Sequence, residues 1–172
     1  MRITTGKYKG RKLHRPKGDK IRPTTSKTKE ALFSILAFEI EGSLFLDLFS
    51  GAQSISFEAL SRGANKVVSV DNSLEAQECF FKNINIFQDE NINFFKRDAL
   101  SFVKTSSDKF DIVFIDPPYE IDKSYLQEVL NNTNASLIIL ETSVRGVLKI
   151  DNFALYKEKR YGKTNLYLYK EK

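Results

Sequence analysis

A chain of 172 residues with 41% apolar side chains and a net charge of +5 can bury one real core, and is expected to form a single domain. No apolar run approaches the roughly 18 residues of a membrane span and the N-terminus has no signal-like apolar stretch, so the cytoplasm is the expected compartment. One cysteine, Cys79, forbids an intramolecular disulfide, and with His14 as the one histidine a Cys/His zinc site is excluded.

The charge is uneven along the chain. Residues 1–30 hold Arg2, Lys7, Lys9, Arg11, Lys12, Arg15, Lys17, Lys20, Arg22, Lys27 and Lys29 against Asp19 and Glu30, a local +9 that leaves −4 on the remaining 142 residues. A basic arm on a mildly acidic body is the footprint of a nucleic-acid binder, whose cations release counterions from phosphates. Gly6, Gly10 and Leu13 with Ile3 and Tyr8 predict a short hairpin rather than a solvated tract, and make Arg2, Lys7, Lys9, Arg11 and Lys12 candidate nucleic-acid contacts. A helix follows, with Thr24 or Thr25 as its cap and Ala31, Leu32, Ile35 and Leu36 as its apolar face.

From Leu44 onward strands and helices alternate: strand 44–48, a helix from Ser54, strand 67–70, helix 74–86, strand 92–95, a short helix near 99–104 and strand 110–115. That alternation predicts a parallel sheet. A further strand is expected at 137–141, and the runs 153–161 and 165–169, joined by Gly162-Lys163-Thr164, read as a final antiparallel hairpin. In an open α/β sheet, ligands bind beyond the carboxyl ends of the strands near the switch point. Asp47 with Phe49, Ser50 and Gly51, then Asp71, then Asp98-Ala99, then Asp116 each close or follow one such strand, so four acids should converge on one cleft. They belong to different loops with distinct neighbours, which favours a nucleoside-like ligand over a metal. An acid ending the second strand can accept both ribose hydroxyls, and Asp71 can also cap helix 74–86.

Asp116-Pro117-Pro118-Tyr119 is the most informative motif. Two prolines fix φ and lack N–H donors, so the backbone leaves the strand as a rigid loop. The Asp116 carboxylate and the Pro117 carbonyl are adjacent acceptors that suit an exocyclic NH2 group, and Tyr119 offers a ring for stacking on a base. Hydrogen bonds from both N–H groups would favour a more tetrahedral nitrogen and stabilise its developing charge. Such a base must be single-stranded or flipped from its stack, at a cost of a few kcal/mol.

Together these segments resemble the class I S-adenosylmethionine-dependent methyltransferases, and more narrowly the RsmD-type 16S ribosomal RNA guanine-N2 methyltransferases. The resemblance covers nearly the whole chain. It rests on Gly6-Lys7-Tyr8-Lys9-Gly10-Arg11-Lys12-Leu13, on residues 22–33 (RPTTSKTKEALF), on Asp47 to Gly51, on Glu58-Ala59-Leu60-Ser61-Arg62-Gly63-Ala64 and on Asp116 to Tyr119. It implies a Rossmann-like fold: a mostly parallel seven-stranded sheet with a C-terminal antiparallel hairpin, plus an N-terminal basic hairpin and helix. Residues 1–40 would be the basic extension packed on the core, and 41–172 the methyltransferase domain. Asp47, Phe49, Ser50 and Gly51 would hold the methionine part of the cofactor, Asp71 with Asn72 the ribose, and Asp98 with Ala99 the adenine. Asp116, Pro117, Pro118 and Tyr119 would receive the guanine, with Arg22, Thr25 and Glu30 near the cofactor or RNA entrance. The implied partner is ribosomal RNA, in a 30S particle or an assembly intermediate.

One segment departs from the family's glycine turn, usually Gly-Ser-Gly-Ala-Leu-Gly: here Gly51-Ala52-Gln53-Ser54-Ile55-Ser56 keeps the first glycine alone. A Cβ where φ is positive costs roughly 1 kcal/mol or more, so Gln53 implies either a strained cofactor turn or one adapted to an allowed conformation. Two other functions share these features: an adenine-N6 DNA methyltransferase, and a catalytically silent RNA-binding assembly factor.

Overall fold

The computed structural model describes residues 1–15, 26–143, 146, 148–162 and 164–172. Arg22, Thr24 and Thr25, with the cap expected for the first helix, lie outside these residues, as does Lys163. Seven strands, β1 (Leu44–Leu48), β2 (Lys66–Asp71), β3 (Ile92–Lys96), β4 (Phe110–Ile115), β5 (Ala135–Thr142), β6 (Phe153–Tyr161) and β7 (Thr164–Glu171), form one sheet in the order β3-β2-β1-β4-β5-β7-β6. Its first five members are parallel, and β7 is antiparallel to both β5 and β6. Among the described residues the helices are α1 (Ser26–Ile35), α2 (Ser54–Ser61), α3 (Leu74–Phe87), α4 (Ala99–Thr105) and α5 (Lys123–Asn131).

The sheet is covered on both faces, which is why β1 and β4 are nearly continuous apolar runs. On one face Phe45, Val67, Ile112, Phe114, Leu137 and Ile139 pack with Leu32, Phe33, Phe57 and Phe80 of the helices. On the other, Leu46, Val68, Val113, Ile138 and Leu140 meet Phe102, Val103, Leu126 and Val129. Local chemistry sets the helix starts: the Ser73 hydroxyl accepts the Ala76 N–H at 3.2 Å, Asp98 accepts that of Ser101 at 2.8 Å, and Asp122 that of Tyr125 at 3.0 Å. Ser73, not Asp71, is therefore the cap of α3. Helix α5 has no counterpart among the elements expected between β4 and β5. Its signals are short: Asp122 as cap, then Leu126, Val129 and Leu130 on one buried face.

The basic arm is part of the core. Ile3, Tyr8 and Leu13 are 2%, 5% and 5% exposed within the same cluster as α1 and the sheet. The expected hairpin is reduced to one antiparallel bridge between Arg2 and Lys12, closed by backbone bonds from Ile3 to Arg11 and from Gly10 to Ile3. Gly6, at φ +87, lies so close to the end of α2 that a Cβ would stand 1.7 Å from the Ser61 carbonyl oxygen. Only glycine fits there.

Lys29, counted above with the exposed cations, is buried at 2%. Its ammonium lies 2.8 Å from Glu58, which is fully buried and also pairs with Arg62 at 2.9 Å. Glu58 further accepts bonds from the Thr4 N–H and hydroxyl and the Thr5 N–H. One carboxylate thus joins the arm, α1 and α2.

Candidate active site

Because β1, β2, β3 and β4 are parallel, their carboxyl ends open on one edge of the sheet, and the order reverses between β1 and β4. Asp47 projects from β1 at 1% exposure. One of its oxygens accepts bonds from the Ser56 N–H at 3.1 Å and from the Ser56 hydroxyl, and Ser69 donates to the Ser56 oxygen at 2.7 Å. Burial pushes the Asp47 carboxyl up to about 7; the Ser56 bonds oppose that rise, while the charges of Asp116 and Asp71 add to it. Asp47 near the end of β1, Asp71 at the end of β2 and Asp116 just after β4 share the carboxyl edge of three adjacent strands.

The turn after β1 has left-handed residues at alternate positions, Phe49 (φ 61), Gly51 (φ 48) and Gln53 (φ 54). It is fastened to β2: Ser50 N–H donates to the Val70 carbonyl at 3.0 Å and Gly51 N–H to Asp71 at 2.9 Å. The other Asp71 oxygen accepts from the Ser73 N–H and hydroxyl. Gln53 does occupy a positive-φ position, and its side chain is put to use. The amide donates to the Gly51 carbonyl and, at 3.1 Å, to that of Ala76, which latches the turn to α3. The Ser50 hydroxyl, the Gln53 amide oxygen and the Ser54 hydroxyl are buried in this turn without a hydrogen-bond partner. Buried polar atoms are ordinarily satisfied, so three orphans around one turn fit a polar ligand such as an amino-acid or nucleoside moiety.

Asp98 has two jobs beyond its sequence expectation. It caps α4 and accepts the Tyr125 hydroxyl at 2.6 Å. Burial raises its pKa, but the bonds from Tyr125 and Ser101 prevail and hold it below the usual carboxylate range; burial, with Asp98 beside it, pushes Tyr125 up to about 12. Ala99 is buried and Asn72 exposed.

Asp116 leaves β4 half-buried, its N–H 3.5 Å from the Leu48 carbonyl. Pro117 is buried and Pro118 exposed, and the Ile121 N–H closes the turn on the Pro118 carbonyl at 3.0 Å. Tyr119 stands 54% exposed at its tip. The four strand-end acids are thus brought to one edge.

The arm cations are placed elsewhere. Lys7 N–H bonds the Ser61 carbonyl at the end of α2, the Lys7 ammonium pairs with Asp89 at 3.3 Å, and Arg11 donates to Ile86 at the end of α3. Since both helices start near the carboxyl edge, their ends lie toward the amino edge. Arg2, Lys9 and Lys12 are exposed on the same arm. From there the chain runs along α3, where the His14 N–H donates to Asn83 and the His14 carbonyl accepts from Cys79.

Sequence reasoning missed Ser56, Ser69 and Tyr125 as members of the site. For Tyr125 the missing signal was α5 itself; Ser56 had been read as a lost glycine rather than as a donor. Among the described residues no group of His, Cys, Asp or Glu is placed to hold a metal ion, and no helix is long and apolar enough to cross a membrane.

The family described as conserved hypothetical protein 95 matches residues 1–170. The chain is 31% identical over 178 residues to ribosomal RNA small subunit methyltransferase D of Escherichia coli, covering 98% of this chain and 89% of that protein. It is also 31% identical over 179 residues to the protein of the same name in Haemophilus influenzae, covering 98% and 93%. The solved structure of yhhF from Escherichia coli superposes with a TM-score of 0.90 at 31% identity, covering 100% of this chain and 98% of that one. The chain belongs to the conserved hypothetical protein 95 family, that of the RsmD-type methyltransferases.

Proposed function

We propose that this protein methylates the exocyclic N2 amino group of a guanine in small-subunit ribosomal RNA, with S-adenosylmethionine as methyl donor. The observation that carries this reading is the Asp116–Tyr119 turn, which sets an acid and an exposed ring at the same carboxyl edge of the sheet as Asp47 and Asp71. When bound, S-adenosylmethionine supplies an electrophilic methyl group. Asp47, Phe49, Ser50 and Gly51 hold its amino-acid end, Asp71 and Asn72 its ribose, and Asp98 and Ala99 its base. The orphaned Ser50 and Ser54 hydroxyls and Gln53 amide oxygen are available to the same ligand.

Asp116 and the Pro117 carbonyl accept the two N–H bonds of the guanine amine, orienting its lone pair and stabilising the positive charge that develops as nitrogen is alkylated. Tyr119 stacks on the extruded base and offsets part of its unstacking cost. Residues 1–40 form a basic extension packed on the core and 41–172 the catalytic domain. A 30S particle or an assembly intermediate in which the reactive guanine is unpaired is the expected setting.

The test is methyl transfer from labelled S-adenosylmethionine to small-subunit particles, with the product base mapped. Asp116→Ala should abolish transfer with donor affinity nearly unchanged. Tyr119→Ala should be damaging and Tyr119→Phe mild, because stacking uses the ring. A methyl group on adenine N6, or full turnover by Asp116→Ala, would refute the proposal.

A further inference from the structure

Strand β6 is one of the two edge strands of the sheet, hydrogen-bonded to β7 alone. Its exposed residues include Lys159 and Arg160, with Lys157 half-buried beside them and Glu158 the one acid between. Among the described residues none of these three cations takes part in an ion pair, whereas the neighbouring Lys170 is paired with Glu39 and Lys109 with Glu171. Unpaired cations clustered on one strand mark a surface built for an anionic partner.

The pairing register says where that surface lies. Ile115 is level with Leu140, so Asp116 falls in the row of Glu141; Glu141 is level with Leu166, and Leu166 with Lys159. Arg160 is likewise level with Asn165 and Thr142. Lys159 therefore lies three strand spacings, about 14–15 Å, across the sheet from the Asp116 turn. Lys157, two positions before Lys159, shares its face of the strand, while Arg160, at the carboxyl edge itself, projects to the other face. The arm cations Lys7 and Arg11, by contrast, are fastened near the ends of α2 and α3.

We infer that the β6 edge grips the phosphate backbone of the RNA strand flanking the target nucleotide, with Lys157 and Lys159 neutralising phosphates along one face of the strand and Arg160 meeting the backbone from the other face, at the carboxyl edge. This rests on the reading of the protein as an RNA methyltransferase. A base held at the Asp116 turn has its neighbouring nucleotides within reach of this edge, and a contact that reads charge alone leaves sequence choice to the cleft. The other occupant an open strand invites is a second copy of the chain by edge pairing, but the net positive charge of residues 157–160 opposes that arrangement.

The test compares wild-type protein, the triple variant Lys157→Ala/Lys159→Ala/Arg160→Ala, and the arm variant Lys9→Ala/Lys12→Ala, for binding to a 16S ribosomal RNA transcript across a salt series. At roughly 0.7 per phosphate on single strands, loss of three contacts should reduce the slope of log K against log salt by about 2. S-adenosylmethionine binding by the triple variant, measured in the same preparations, should match wild type and shows that the fold is intact. An unchanged slope in the triple variant, alongside a reduced one in the arm variant, overturns this inference and leaves the RNA reading standing. No RNA binding by the wild type overturns both. Unchanged RNA affinity with new self-association in sedimentation would show that the cations serve to keep the edge monomeric, and would also overturn it.

Discussion

Asp47 should couple ligand binding to proton release. Its carboxyl titrates near 7 because it is buried and because Asp116 and Asp71 add negative charge nearby. In the ligand-free protein it is then about 90% ionised at pH 8 and about 10% at pH 6. S-adenosylmethionine carries positive charge on its amino and sulfonium groups, so it is expected to bind the ionised form. Its apparent affinity should fall about tenfold, or about 1.4 kcal/mol, between pH 8 and pH 6. A carboxyl titrating at its ordinary value near 4 would give no measurable change over that range. The linked effect on stability has a definite sign. The folded-state value is raised above the unfolded one, so Asp47's contribution is fully present below about pH 4 and is lost as pH rises toward 7, to a total on the order of 4 kcal/mol. Calorimetric titrations in two buffers of different ionisation enthalpy at pH 7 should report release of about half a proton on binding, while Asp47→Asn should remove the dependence. Ser56→Gly deletes a hydroxyl bond that opposes the rise, so it should move the midpoint to higher pH. Equal affinity at pH 6 and pH 8, with no proton exchanged, would refute the reasoning.

Two further substitutions probe the scaffold. Glu58→Ala leaves the Lys29 ammonium, 3% exposed, without its counterion, and should cost about 3–5 kcal/mol in denaturant unfolding, much of it regained in Glu58→Leu/Lys29→Met. Burial raises the Glu58 pKa, but Lys29 and Thr4 prevail and hold it below its usual value; its contribution is therefore present above about pH 4.3 and lost as pH falls through the lower folded value. A loss under 1 kcal/mol for Glu58→Ala would contradict the network. Gln53→Gly relieves about 1–2 kcal/mol of left-handed backbone cost but removes two buried bonds and loosens the unfolded chain, so a net loss of about 1 kcal/mol is expected. A gain in stability would mean that the latch to Ala76 contributes nothing.

The parallel strands were legible because each is a short apolar run ended by an acid, and the strand-end rule then placed Asp47, Asp71, Asp98 and Asp116 on one edge without knowledge of strand order. What stayed hidden depends on contacts distant in sequence. Nothing local marks Ser69 as the partner of Ser56, or distinguishes Lys29, sealed against Glu58, from the exposed Lys7, Lys9 and Lys12 of the same arm. Charge counting treats them alike. Gln53 was legible by half: the missing glycine left a strained turn and an adapted one both open, and the positive φ with the amide bonds that make it tolerable required the position of α3. Helix α5 was missed because its apolar face is only three residues long.

The docking of the arm also constrains the order in which the chain can organise. Thr4 bonds to Glu58, 54 positions later, and Tyr8 to Asp89, 81 positions later. Residues 3–13 therefore lack these partners until Glu58 and then Asp89 have been added to the chain, and Ile3, Tyr8 and Leu13 must wait. Contacts of such separation form late and slowly. Until Asp89 emerges, the nascent chain presents a cationic, partly apolar tail beside ribosomal RNA, which is where a newly made enzyme of this kind is most exposed to premature binding.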